Sequence, residues 1–155
     1  PNGYTNFAFV GAMYCDGSQN LLRSRQIGRK ASYTVVAATN TAIVPTIASG
    51  TAGTYSDTAP VYSAISVSTF VPTTAARIRV MTIPEYQAGS GASVIVAPNS
   101  SYGSRYTNPA NPPITGSFAA TPFQNTDLLL ESTNIYWVSS AAGGAIFCIG
   151  WTDNI

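Results

Sequence analysis

Histidine is absent from the 155-residue sequence, and charged side chains are rare. Asp, Glu, Lys and Arg make up 8% of the residues, whereas an average soluble domain has about 25%. Lysine occurs once, at Lys30. Without histidine, the chain lacks the usual general base near neutral pH and the commonest metal ligand. We therefore expect a protein that is not an enzyme and that uses no cofactor or metal.

The carboxylates and cysteines are also few, and they are dispersed along the chain. Only Asp127 and Glu131 are close in sequence. On a strand they would stand about 13 Å apart, beyond the roughly 5–9.5 Å that separates the carboxylates of glycosidases. They are interpreted as solvated surface acids. Cys15 and Cys148 cannot supply the roughly four ligands of a zinc site. They either form a disulfide or, as the sequence favours, are small hydrophobic residues.

Long apolar runs are missing as well. No segment approaches the roughly 18 consecutive apolar residues that a membrane-spanning helix needs. We therefore expect no membrane partner.

The residue types that are abundant favour β-structure. Val and Ile number 23 and Thr 18, whereas Leu numbers five. β-Branched and aromatic residues suit a pleated, half-buried surface, and 13 Gly and 10 Pro divide the chain at short intervals. The composition predicts an all-β fold, a single antiparallel β-sandwich of jelly-roll type with eight or nine strands. Strands are predicted over 32–38, 41–47, 61–70, 77–83, 92–97, 114–118, 127–131, 134–139 and 145–151, the last two joined by a hairpin turn at 141–144.

The first 31 residues differ from the rest and predict an extended N-terminal arm, followed by the β-sandwich domain over 32–155. Within the arm, the apolar segment 4–13 is a candidate strand that could add to a sheet edge. Residues 18–28 are the one plausible helix, with Ser18 as N-cap and Gly28 at its end.

Four of the seven basic residues lie within eight positions of this arm: Arg23, Arg25, Arg29 and Lys30. Residues 1–31 have a net charge of +3 and residues 32–155 a net charge of −2. Three interpretations are open: docking on an acidic partner, a solvated loop, or nucleic-acid binding. Docking is favoured, because arginine makes bidentate, partly buried contacts. Nucleic acid is disfavoured, because four charges bind phosphates weakly at physiological salt.

A second candidate site is the long segment 98–113, which has no strand pattern and contains Tyr102, Arg105 and Tyr106. Loops of this length are often functional, and Tyr and Arg are enriched in interfaces. The loop is predicted to contact a partner. A loop that packs on its own domain, or that binds carbohydrate through exposed tyrosines, is the alternative.

Five short motifs stand out toward the end of the chain: Ser68-Thr-Phe-Val-Pro72, Ala75-Ala-Arg-Ile-Arg-Val80, Ile135-Tyr-Trp-Val-Ser-Ser, Gly143-Gly144 and Phe147-Cys-Ile-Gly-Trp151. Through these motifs, about residues 60–155 of the chain resemble small β-rich virion proteins of tailed bacteriophages. These proteins include head decoration (cement) proteins and tail-fibre or tip modules. The matching motifs are structural, so no catalytic or binding residue carries over.

The resemblance implies a non-enzymatic capsid decoration protein on the outer surface of the virion, bound to the major capsid protein. It implies a homo-oligomer, with a trimer favoured and a dimer as the alternative. A receptor- or carbohydrate-binding module of a tail fibre or adhesin is the alternative function, and its binding surface would be the loop with Tyr102 and Tyr106.

Overall fold

Ten β-strands and no helix form the regular structure of the residues that the computed structural model describes, which are 13, 15, 21, 23–34, 44–84, 91–104, 106, 114–117 and 124–154. In chain order the strands are β1 Ser24–Ile27, β2 Lys30–Tyr33, β3 Thr46–Ser49, β4 Ser63–Ser66, β5 Ala75–Ile83, β6 Ser93–Ala97, β7 Ile114–Ser117, β8 Gln124–Leu129, β9 Asn134–Ser139 and β10 Ala145–Asp153. The predicted all-β class is confirmed. The strand number is higher than predicted, because residues 24–33 contribute two strands.

The strands form two antiparallel sheets. In the six-stranded sheet the order is β1-β2-β10-β5-β8, and β3 also pairs with β10. In the four-stranded sheet the order is β4-β9-β6-β7. The first sheet is organised around β10, which pairs with β5 along its length and with β2 and β3 on its other edge.

One cluster of buried apolar side chains contains residues of both sheets. Ile78, Ile146 and Trp151 come from the six-stranded sheet, and Ile135 and Trp137 come from the four-stranded sheet. Trp151 is completely buried, and its ring meets that of Tyr33 edge to face at 5.6 Å between centroids. Since burial of apolar surface is the main force that favours folding, this shared core stabilises both sheets.

The other face of the four-stranded sheet is covered as well, which explains why every residue of β6 is buried. Ile95 and Val138 are paired on this outer face and are fully buried. Gly53 contributes to the cover, since its backbone comes close to the Val138 side chain.

The predicted helix over 18–28 is wrong in its described part. Residues 24–27 form β1, which pairs with β2 through a turn in which Gly28 has a φ of 58°. β2 in turn pairs with β10, and this pairing buries Ala31 and Tyr33. A ten-residue helix is marginal without packing, whereas the hairpin gains backbone pairing and a buried face. The division into arm 1–31 and body 32–155 stays a prediction, and the candidate strand over 4–13 lies outside the described residues except for Met13.

The predicted hairpin of β9 and β10 is also wrong. The two strands belong to different sheets, and the segment 140–144 passes from one sheet to the other. β9 pairs with β4 and β6, and β10 pairs with β5 on one edge and with β2 and β3 on the other. Because both strands are central, neither has an edge left for the other, and their apolar side chains meet across the core instead.

Gly150 allows β2 to approach β10, and this generates a stability prediction. It has a φ of 150°, and a Cβ at this position would collide with the carbonyl oxygen of Ala31. Gly150→Ala is therefore expected to lower the free energy of unfolding by about 2 kcal/mol or more, measured by urea denaturation.

The matched control is Gly91→Ala, since a Cβ there meets nothing within 4 Å. We expect it to change the free energy of unfolding by less than about 0.5 kcal/mol. Equal effects of the two substitutions would contradict the close approach at Gly150.

Candidate interaction surface

The four basic residues predicted near the N-terminus all belong to, or border, the β1–β2 hairpin, and all are exposed. Arg23 precedes β1 and continues the ladder, because its carbonyl oxygen accepts a 2.9 Å hydrogen bond from the Thr34 N–H. Arg25 lies within β1, Arg29 lies in the turn, and Lys30 begins β2. The structure thus brings these cations together on one edge of the six-stranded sheet.

Sheet register adds two further cations, Arg77 and Arg79, from β5. Residues paired across antiparallel strands point to the same face, so the pairings define rows across the sheet. One row contains Arg25, Ser32, Gly150, Arg79 and Asp127, and the next contains Ile27, Lys30, Thr152, Arg77 and Leu129. These rows lie on the face away from the core, since Ala31, Ile78 and Leu128 point to the core from the alternate positions. We call this face the basic face.

Arg79 connects three strands of the basic face. Its Nε lies 3.0 Å from Asp127 Oδ1 on β8, and its Nη1 donates a 2.9 Å hydrogen bond to Ser32 Oγ on β2. Gly150 lies between Arg79 and Ser32 in this row. Both partners of the ion pair are about one-third exposed, so the pair adds little stability and mainly fixes the position of the guanidinium.

Every described charged residue that lies on a strand belongs to the six-stranded sheet. All six described cations belong to the strands or the turn of the six-stranded sheet or directly precede them. Among the described residues, Asp127 is the one carboxylate in the two rows. Asp153 is buried and accepts a hydrogen bond from the Thr74 hydroxyl, while Asp57 and Glu131 lie in segments outside the strands.

Arg77 and Arg79 were missing from the predicted site, although the alternation of residues along β5 already placed both on one face of a strand. The alternation of β5 places Arg77, Arg79 and Met81 on one face. That this face continues into the N-terminal hairpin depends on β10, which pairs with both β2 and β5 and is more than a hundred residues from β2 in sequence.

The loop predicted as a second site packs partly on its own domain. The Tyr106 N–H donates a 3.3 Å hydrogen bond to the carbonyl oxygen of Asp57, and the Tyr62 hydroxyl donates a 2.8 Å bond to that of Gly103. Burial raises the pKa of Tyr62 to about 12, which keeps this hydroxyl protonated. Tyr102 is half-buried and Tyr106 is 70% exposed; Arg105 lies outside the described residues.

The described residues contain no group of three or more His, Cys, Asp or Glu side chains that could hold a metal ion. Nor do they include a helix of the length and apolarity required to span a bilayer. The arrangement that does stand out is an extended charged surface, which suits the binding of another molecule through many weak contacts.

Neither the models of known protein families nor the curated protein sequences contain a match to this chain.

The two cysteines are free and differ in environment, which gives a second prediction. Cys148 is fully buried in the core, and burial raises the pKa of its thiol to about 12, whereas Cys15 is exposed. Because the thiolate is the reactive form, we expect Ellman's reagent at pH 8 to label one thiol in the folded protein and two in denaturant.

Cys15→Ser serves as the control and should abolish the labelling of the folded protein. If no thiol reacted in denaturant without reductant, the cysteines would form a disulfide, and the placement of Cys15 would be wrong.

Proposed function

We propose that this protein is a non-enzymatic structural protein of a virion, a capsid decoration or cement protein that binds the lattice of the major capsid protein. In this proposal the two sheets are the layers of a β-sandwich of jelly-roll type with an N-terminal arm. The protein acts as a homo-oligomer on the outer capsid surface, with a trimer favoured over a dimer.

The observation that supports this proposal best is the position of the described cations. A chain with few charged residues places all of its described cations on one sheet, where they are available to an acidic surface. Complementary charge speeds association and fixes orientation, which suits a protein that must find repeated positions on a lattice. The resemblance of residues 60–155 to phage virion proteins supports the same proposal independently.

Co-sedimentation with capsids tests the proposal. Virions that carry this protein are purified and stripped of it, and the purified protein is then added back to the stripped capsids. We expect saturable binding and an increase in the temperature at which the capsids rupture, because a ligand that binds the native lattice stabilises it. Removal of residues 1–31 would be a poor variant, since it deletes β1 and the buried Ala31.

Deletion of residues 1–20 removes the first part of the predicted arm and leaves the β1–β2 hairpin in place. Reduced capsid binding by this variant, with an unchanged β-sheet circular-dichroism spectrum, would support a role of the arm. Absence of the protein from purified particles, together with no binding to stripped capsids, would overturn the proposed function.

A second candidate function is a receptor- or carbohydrate-binding module of a tail fibre or adhesin. The observation in its favour is Tyr106, which is 70% exposed while its backbone N–H donates a hydrogen bond to the carbonyl oxygen of Asp57. A hydrogen-bonded backbone with an exposed ring limits the entropy lost on binding. An aromatic ring of this kind can stack on the apolar face of a sugar.

Substitution of Tyr106 tests this second candidate on a glycan array. Tyr106→Ala should weaken binding by about tenfold or more, equivalent to about 1.4 kcal/mol, whereas Tyr106→Phe should retain it because the ring remains. No glycan signal from the wild-type protein, or equal binding by Tyr106→Ala, would rule this function out.

A further inference from the structure

We propose that the basic face is the docking surface of this protein and that its partner is a protein surface rich in Asp and Glu side chains. This inference rests on the proposed structural function and specifies where the contact is made. The sequence assigned docking to the N-terminal cluster and to the loop with Tyr102, Arg105 and Tyr106. The sheet adds Arg77 and Arg79 from the body of the protein, so the docking surface is a folded face five strands wide.

The spacing of the cations suits carboxylates on a folded protein. Neighbouring strands lie about 4.8 Å apart. Lys30 and Arg77 lie on β2 and β5 with β10 between them, so their Cα atoms are about 10 Å apart. Arg25 and Arg79 are separated by one more strand, so their Cα atoms are about 14 Å apart. Arg25, Lys30 and Arg77 are exposed, and arginine binds carboxylate through two parallel hydrogen bonds.

The composition of the face favours an acidic protein over a nucleic acid. Asp127 lies at the end of the first row, beside Arg79, where it would repel phosphates. The second row ends in Ile27 and Leu129, which are 67% and 44% exposed. Exposed apolar residues together with arginine are typical of protein interfaces, whereas interfaces with nucleic acids are much more positively charged.

Charge variants with matched controls test the assignment, with poly-L-glutamate as the probe. Arg25→Gln combined with Arg77→Gln should weaken binding at least about tenfold. Asp127→Asn removes the carboxylate of the face and should strengthen binding about two- to threefold. Ala64→Glu adds a negative charge to an exposed position of the four-stranded sheet and should change affinity less than about twofold.

Arg25→Gln combined with Arg77→Gln lowers the net charge by two units. Ala64→Glu combined with Thr69→Glu lowers it by the same amount and is the control. Both control positions are exposed and lie outside the six-stranded sheet. A similar loss of affinity in the two double variants would mean that net charge alone drives binding, and it would overturn the assignment. Tighter binding to a 20-base-pair DNA duplex than to poly-L-glutamate at 150 mM salt would overturn the partner class. Thermal melting of every variant shows whether it is folded.

The single lysine permits a direct test on capsids. A carbodiimide joins an amine to a carboxylate without a spacer, so a cross-link from Lys30 identifies the partner carboxylate by mass spectrometry. Lys30→Arg keeps the charge and should bind capsids while losing the cross-link.

Capsid binding without a cross-link at Lys30, with the charge variants binding like wild type, would overturn the docking surface and leave the proposed function standing. If the protein did not bind capsids but the variants changed its affinity for poly-L-glutamate as expected, the proposed function would be overturned. The assignment of the basic face to an acidic protein partner would stand.

Discussion

The close approach of β2 to β10 at Gly150 is the contact on which the surface of the six-stranded sheet depends. Glycine allows the backbone of β10 to lie against Ala31, and the Arg79 guanidinium reaches across β10 to Ser32 on β2. The N-terminal hairpin is thereby attached to the body of the protein. Two clusters of cations that are about fifty residues apart in sequence consequently share one face.

Much of the fold could be predicted from local patterns, and the exceptions have physical reasons. The alternation in β5 and the β-branched run in β6 each determine a strand directly, and β9 was predicted with its observed bounds. Residues 24–27 were not recognised as a strand, because β1 is short and polar and is stabilised by pairing rather than by its own residues. The partners of β9 and β10 could not be predicted, since two adjacent apolar strands can either pair or face each other across a core.

The candidate site was predicted in part, for a related reason. Clustering of Arg23, Arg25, Arg29 and Lys30 is visible in the sequence, and all four are exposed in the structure. The contribution of Arg77 depends on long-range pairing through β10, for which the sequence has no local signal. The basic face thus combines a cluster that is visible in the sequence with two arginines that the strand pairing adds. In this way a chain with few charged residues has six described cations on one sheet.

An NMR titration tests most directly whether the hairpin and the body act as one surface. Poly-L-glutamate is added to the isotopically labelled protein, and the backbone amide shifts are followed at low salt. We expect the amides of Arg25, Lys30, Arg77 and Arg79 to shift together along one binding curve, while Ala64 and Tyr106 stay unchanged. Shifts confined to the hairpin, or centred on the loop around Tyr106, would contradict a single basic face.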